Sequence, residues 1–324
     1  MSRALLLVCA WGVDALIGDP KNLPHPIRWM GTLIAWAEKM LRKCFPETPE
    51  GERLGGTAMT ITVLGIILIC TAIMLYIAKK ISIFISFILS VVICAYMLAP
   101  RSLREESTTV QTALERGDLP GARKALSWIV GRDTDCLDEA GIARAAVETV
   151  AENASDGVIA PLLYMAVLGP LGAVLYKAVN TMDSMVGYHN ERYEHWGRAA
   201  ARLDDLVNFL PARISGVLMC AAAPLVGLNC REAWRIFCRD RLCHKSPNSA
   251  HTEAACAGAL GVQLGGPSRY FGQLVDKPTI GDGLRPVEAQ DIHRANRLMN
   301  AAGLLALVLC CAASIVLERI GVTW

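Results

Sequence analysis

Two long apolar runs, 55–78 and 81–99, stand almost back to back, with only Lys79 and Lys80 between them. Each is close to the roughly 20 residues that carry a helix across a bilayer. With no water to satisfy the backbone there, each segment must close its own hydrogen bonds, so the pair reads as a helical hairpin. That feature takes the chain out of the soluble globular class. Composition agrees: 53% of the 324 residues are hydrophobic, 19% are charged, and mean hydropathy is +0.36. Further apolar stretches at 4–18, 158–179, 214–229 and 301–318 complete the expected spans. The expected fold is an all-α, polytopic membrane helical bundle forming one domain over 1–324. Its polar regions are 19–54, 101–157, 180–213 and 231–300, and the longer ones are helical. The basic-rich loops place them on the cytoplasmic side.

The first apolar stretch follows Arg3 like a secretory signal, but Trp11 and Asp14 interrupt it and no small-residue cleavage site follows. A retained membrane segment is expected. The stretch 158–179 contains Pro161, Gly169-Pro170 and Gly172, which break helices. A re-entrant segment kinked near Gly169-Pro170 would keep polar regions 101–157 and 180–213 on one side.

A net charge of +2 gives no field for a nucleic-acid partner. Half of the twelve cysteines sit in apolar runs and no CxxC occurs, so neither a disulfide framework nor a zinc site is expected. There is no GxxxxGK[ST] and no GxGxxG after a strand. Any nucleotide needs a site of another kind.

Polar residues concentrate from Glu148 to Arg213, beside segments apolar enough for lipid. Polar groups are costly there, which marks the region as a candidate site. Glu148, Glu152 and Asp156 repeat at i, i+4, i+8, and on a continuous helix they share one face, drifting about 40° per step. Like charges at that spacing repel, and Mg²⁺ carrying phosphate would compensate them. Asn153 adds an amide. Lys177, Asn180 and Asp183 follow at helical spacing. The lysine reads as a snorkelling anchor or a site residue, and Asn180 and Asp183 as metal or phosphate ligands. His189 is a candidate general base or a surface histidine. Arg198, Arg202 and Arg213 suit phosphate, with a structural ion pair as the alternative for Arg202. Three prolines (Pro20, Pro24, Pro26) forbid a regular helix over 18–31, making a rigid loop that presents Asp19, His25 and Arg28. An amphipathic helix is expected over 32–45. Ser246-Pro247 reads as an N-cap and first helical residue, and Asn248 and Ser249 extend a start able to bind anions. His251 and Glu253 fall in its first turns. The small residues beyond them predict close helix packing.

DALIGDPKNLPHPIRWMG, ETVAENASDGVIAPLLY, the run from Tyr176 to Gly216 and SPNSAHTEAACAGALGVQLGG resemble the adenosylcobinamide-phosphate synthase family, called CbiB or CobD. The resemblance covers roughly Asp14 to Met299. It implies an inner-membrane enzyme of cobalamin biosynthesis with its active site facing the cytoplasm. The family joins adenosylcobyric acid to aminopropanol phosphate, or ethanolamine phosphate, using ATP and Mg²⁺. On that reading Glu152, Asp156 and Asp183 hold Mg²⁺, helped by Asn153 and Asn180. Arg198, Arg202 and Arg213 hold phosphates. His189 or Glu148, with Lys177 nearby, handles the amine proton. Asp19, His25, Arg28 and the turn of Ser246, Asn248 and Ser249 contact substrate. The implied partners are the lipid bilayer and other membrane enzymes of the pathway or a second copy of the chain. Two further classes fit loosely, an Mg-dependent intramembrane prenyltransferase and a transporter with a broken helix. The absence of a second broken helix in a matching half argues against the transporter.

Overall fold

Satisfying backbone groups locally makes nearly all of this chain helical. The computed structural model describes residues 2–19, 25–188, 190–270 and 272–320. The helices are α1 (Arg3–Ile17), α2 (Pro26–Leu41), α3 (Pro49–Ile81), α4 (Ile83–Tyr96), α5 (Pro100–Glu115), α6 (Leu119–Ser127), α7 (Glu139–Asn153), α8 (Ala160–Val186), α9 (Arg198–Ala222), α10 (Cys230–Asp240), α11 (Ala250–Leu260) and α12 (Gln290–Arg319). A π-helical segment, Ala154–Ile159, joins α7 to α8. Four short strands follow α11: β1 (Leu264–Gly265), β2 (Ser268–Tyr270), β3 (Gln273–Val275) and β4 (Thr279–Ile280). β1 pairs with β4 and β2 with β3, both antiparallel. Among the described residues, five helical stretches are long and apolar enough to cross a membrane: Pro49–Ile81, Ile83–Glu115, Glu139–Val186, Arg198–Val226 and Gln290–Arg319. The protein is an all-α polytopic membrane protein. At 15 residues, α1 is too short to count among the five. The chain divides into two units, one of 1–98, 161–208 and 309–324, the other of 99–160 and 209–308.

In the first unit α3 and α4 make the expected hairpin, but its corner is Ser82, not the lysine pair. Ser82 is extended (φ −163°, ψ 140°) and its hydroxyl accepts from the Phe84 N–H at 3.2 Å. Lys79 and Lys80 instead finish α3, where cations favour the negative end of the helix dipole. Ile61, Ile69, Ile73, Ile83 and Phe84 are exposed, as lipid-facing side chains should be. α2 begins earlier than the prolines suggested. His25 is its N-cap and Pro26 its first residue, a position where the missing N–H goes unused. Arg28 therefore rides on a helix, not a loop.

Gly169 breaks α8 with φ 65° and ψ −153°, a conformation essentially confined to glycine. The chain bends back there. Tyr164 and Tyr176 stack with centroids 5.1 Å apart, whereas twelve residues of straight helix would separate their Cα atoms by about 18 Å. Both phenols are tied to α9, Tyr164 donating to the Val207 carbonyl (3.0 Å) and Tyr176 to Asn208 Oδ1 (2.8 Å).

In the second unit α11 is buried along its whole length. Its small residues let α10 approach closely. A Cβ on Gly258 would lie 2.4 Å from the Glu232 carbonyl oxygen. Asp138 caps α7 by accepting from the Gly141 N–H at 2.8 Å. The Ser155 and Ser215 hydroxyls pair at 3.2 Å and link the π-helical segment to α9.

The bend at Gly169 makes one prediction. Gly169→Ala should destabilise the folded protein by about 1–3 kcal/mol through backbone strain. Unfolding of purified protein in detergent, followed by circular dichroism, measures it. A Gly169→Ala protein as stable as the parent would show that the bend carries no such constraint.

Candidate functional site

The polar centre of the second unit forms where α7, the loop after α6, the strand region and α11 meet. α7 presents Glu148 and Glu152 one turn apart. Glu148 is buried, and both its oxygens are engaged: Oε2 accepts from the Arg132 guanidinium at 2.5 Å and Oε1 from the Gly265 N–H at 2.7 Å. Arg132 also donates to Ser268 Oγ at 3.1 Å. A buried carboxylate stands only when paired in this way. Glu148 therefore fits a positioning role better than that of a free base.

Glu152 is exposed to solvent, and the charges acting on it are those of Lys277, Arg132 and Glu148. Lys277 donates to the Tyr270 hydroxyl at 2.7 Å. α11 contributes Glu253, which is 4% exposed. Burial, then the like charges of Glu152 and Glu148, push the Glu253 carboxyl well above the usual range, outweighing Lys277 and Arg132. Glu253 is thus held as the neutral acid. Glu148 is the acid of the cluster paired with Arg132, at 2.5 Å.

His244 lies between α10 and α11. Its Nδ1 is 3.1 Å from Ser249 Oγ and 3.8 Å from Glu253 Oε1, and its Nε2 is buried with no hydrogen-bond partner among the described residues. Burial first, then Lys277, lowers its pKa, so the ring is neutral. Ser249 can donate to it. His251, fully buried, has its pKa pushed down to about 4 by burial and by Arg213 and Arg241. It is a neutral core histidine.

The expected site residues divide between the units. Glu148, Glu152, Asn153, Asp156, Arg213, Ser246, Asn248 and Ser249 belong to the second. Asp19, His25, Arg28, Lys177, Asn180, Asp183, Arg198 and Arg202 belong to the first. His189 lies outside the described residues. Asp156 lies in the π-helical segment, so its phase relative to Glu152 is not that of the continuous α-helix expected. The Asn153 amide donates to its own helix, to the Thr149 carbonyl at 3.0 Å. Among the described residues no group of three His, Cys, Asp or Glu side chains could hold a metal ion.

In the first unit, His25 Nε2 meets Asp19 Oδ1 at 3.0 Å, and the ring packs edge-on against Tyr96. Lys177 is buried rather than snorkelling, and its Nζ lies 3.5 Å from Asn180 Oδ1. In the second unit, Arg213 stacks on Phe209 and donates to Asn248 Oδ1 at 3.1 Å. The 246–249 segment is a turn, in which the Asn248 N–H reaches Ser246 Oγ at 3.3 Å. α11 starts only at Ala250, so Ser246 is not its N-cap.

Sequence reasoning missed Arg132, His244, Lys277 and the role of Glu253. Three of them sit in irregular segments with no periodicity to mark them. The one legible signal was the glycine-rich LGGPSRY, which brings a backbone N–H against Glu148.

The neutral Glu253 sets a pH dependence. Its folded pKa is raised, so its stabilisation is complete below the ordinary Glu pKa and is lost as pH rises through the folded value. Glu253→Gln mimics the neutral acid and should unfold at higher denaturant than the parent at neutral pH, with the difference vanishing in acid. Parallel unfolding curves at both pH values would show that Glu253 is ionised.

The sequence profile of the family described as CobD/Cbib protein matches residues 7–299. The chain is 51% identical over 309 residues to cobalamin biosynthesis protein CobD of Geobacter metallireducens, covering 94% of this chain and 95% of that one. It is 47% identical over 304 residues to cobalamin biosynthesis protein CbiB of Salmonella typhimurium, again covering 94% and 95%. It is 42% identical over 314 residues to CobD of Clostridium perfringens, covering 97% and 99%. No solved structure matches. A profile match spanning nearly the whole chain, together with end-to-end identity to these relatives, makes the protein a member of the CobD/CbiB family.

Proposed function

We propose that this protein is a membrane enzyme of cobalamin biosynthesis that joins adenosylcobyric acid to aminopropanol phosphate, or ethanolamine phosphate, giving adenosylcobinamide phosphate. Family membership supports the pathway. The observation that carries the reaction is an accessible carboxylate, Glu152, one turn from the paired Glu148 and within the field of Lys277 and Arg132.

A carboxylate is a poor acyl donor, because an oxide would have to leave. Transfer of the γ-phosphoryl group of ATP to a propionate oxygen makes an acyl phosphate and releases ADP. The amine nitrogen then attacks the acyl carbon. The C–O bond breaks, phosphate leaves with its electron pair, and the amine gives up a proton. Glu152 takes that proton. General-base assistance of this kind contributes about 10²–10⁴-fold. Lys277, steadied by Tyr270, and Arg132, held by Glu148, place fixed positive charge where phosphate oxygens gather. The substrates' remaining charges fall to Arg213 and the 246–249 turn of the same unit. Magnesium accompanies the nucleotide phosphates, and no step is assigned to it. Because ATP is a cytosolic substrate, the reading puts the site on the cytoplasmic face of the inner membrane.

Purified protein given adenosylcobyric acid, ATP, Mg²⁺ and aminopropanol phosphate should form the amide and release ADP and phosphate, read by mass spectrometry. Absence of the amide from folded protein ends the reading. Glu152→Gln should keep its fold and lose about 10²–10⁴-fold in kcat, and full activity in that variant would remove Glu152 as the base.

A further inference from the structure

In the first unit, the starts of two membrane-spanning helices are locked together. Gly55 and Gly56 of α3 lie directly against Trp196, just before α9. A Cβ on Gly56 would fall 1.9 Å from the Trp196 carbonyl oxygen. Trp196 is 1% exposed and donates its indole N–H to Met59 Sδ at 3.3 Å. This contact gathers Arg53, Arg198 and Arg202 around a cleft of about 440 Å³, lined otherwise by Thr57 and Ala199. No acid lines it. Among the described residues none of the three guanidinium groups has an ion pair or hydrogen bond.

Nearby arginines are treated differently. Arg42 pairs with Glu38 at 2.9 Å and Glu52 at 3.5 Å, and Arg192 pairs with Glu38 at 3.0 Å. The acids of this region are turned toward those two, including Glu52, the neighbour of Arg53. The three arginines are exposed, and their like charges at one cleft favour an anion among them. Planar guanidinium forks match the oxygens of a phosphate group.

We infer that the Arg53–Arg198–Arg202 cleft is a phosphate-group site at the membrane surface, with Arg53 and Thr57 as members that the sequence did not suggest. The inference does not rest on the reaction proposed above. Two sources share this chemistry, the headgroup of an anionic lipid and a soluble phosphate ester. Exposed Leu54 and Leu206, beside Arg53 and one turn beyond Arg202, give an acyl chain an apolar surface and favour the lipid.

Full-length protein in detergent is titrated with phosphatidylglycerol, with phosphatidylcholine and with ethanolamine phosphate. Native mass spectrometry and thermal stability report binding. Arg53→Gln and Arg202→Gln should each weaken binding by about tenfold or more, with partial recovery in Arg202→Lys. Arg104→Gln, an exposed arginine of the other unit, should leave binding unchanged. Tight phosphatidylglycerol that is lost in the Gln variants assigns a lipid-borne phosphate. Ethanolamine phosphate that is lost in them, with no preference between the two lipids, assigns a soluble ester. No preference for phosphatidylglycerol and no ester binding, or Gln variants that bind like the parent in correctly folded protein, overturns the site. Because the readout is binding, the result stands apart from success or failure in amide formation.

Discussion

A carboxylate inside a protein must be paired or neutralised, and Glu148 decides how the second unit is built around that rule. Its two oxygens bind the loop guanidinium of Arg132 and the β1 backbone at Gly265, so one side chain joins three segments far apart in sequence. Once Arg132 is committed, the cluster cannot carry three ionised acids against two cations. Glu253, buried on α11, is the group that gives up its charge. Glu152 is the acid of the cluster open to solvent. A paired acid, a neutral acid and an exposed acid thus meet around one pairing.

The first unit answers a different constraint. Its exterior is apolar enough for lipid, so polar groups are satisfied inside it or at its ends. Tyr164 and Tyr176 find carbonyl and amide partners on α9, and the Gly169 bend brings the two rings together. Close glycine packing on Trp196 then fixes the helix starts that carry the unpaired arginines.

Much of this was legible in the residues. The α3–α4 hairpin, the break at Gly169 and the tight packing of α11 each follow from a local rule of hydropathy, glycine freedom or small side chains. Boundaries set by competing local choices were not. Proline at the first position of α2 looked like a helix breaker, Ser82 outdid the lysines as a corner, and Ser246 closed a turn where a helix cap was expected. The π-helical segment that holds Asp156 was not legible either, because a widened turn leaves no mark in the sequence. Arg132, His244 and Lys277 escaped notice because lone polar residues in irregular loops have no period to betray them.

By itself, the sequence determined the membrane setting, the helical class, the places where helices must break and the family. Those follow from transfer free energy and from hydrogen bonds between near neighbours, which are written locally. Only the tertiary structure decided which acid is paired, which is neutral and which is free. Coulomb and desolvation energies depend on distances between residues more than a hundred positions apart, and folding alone sets those distances.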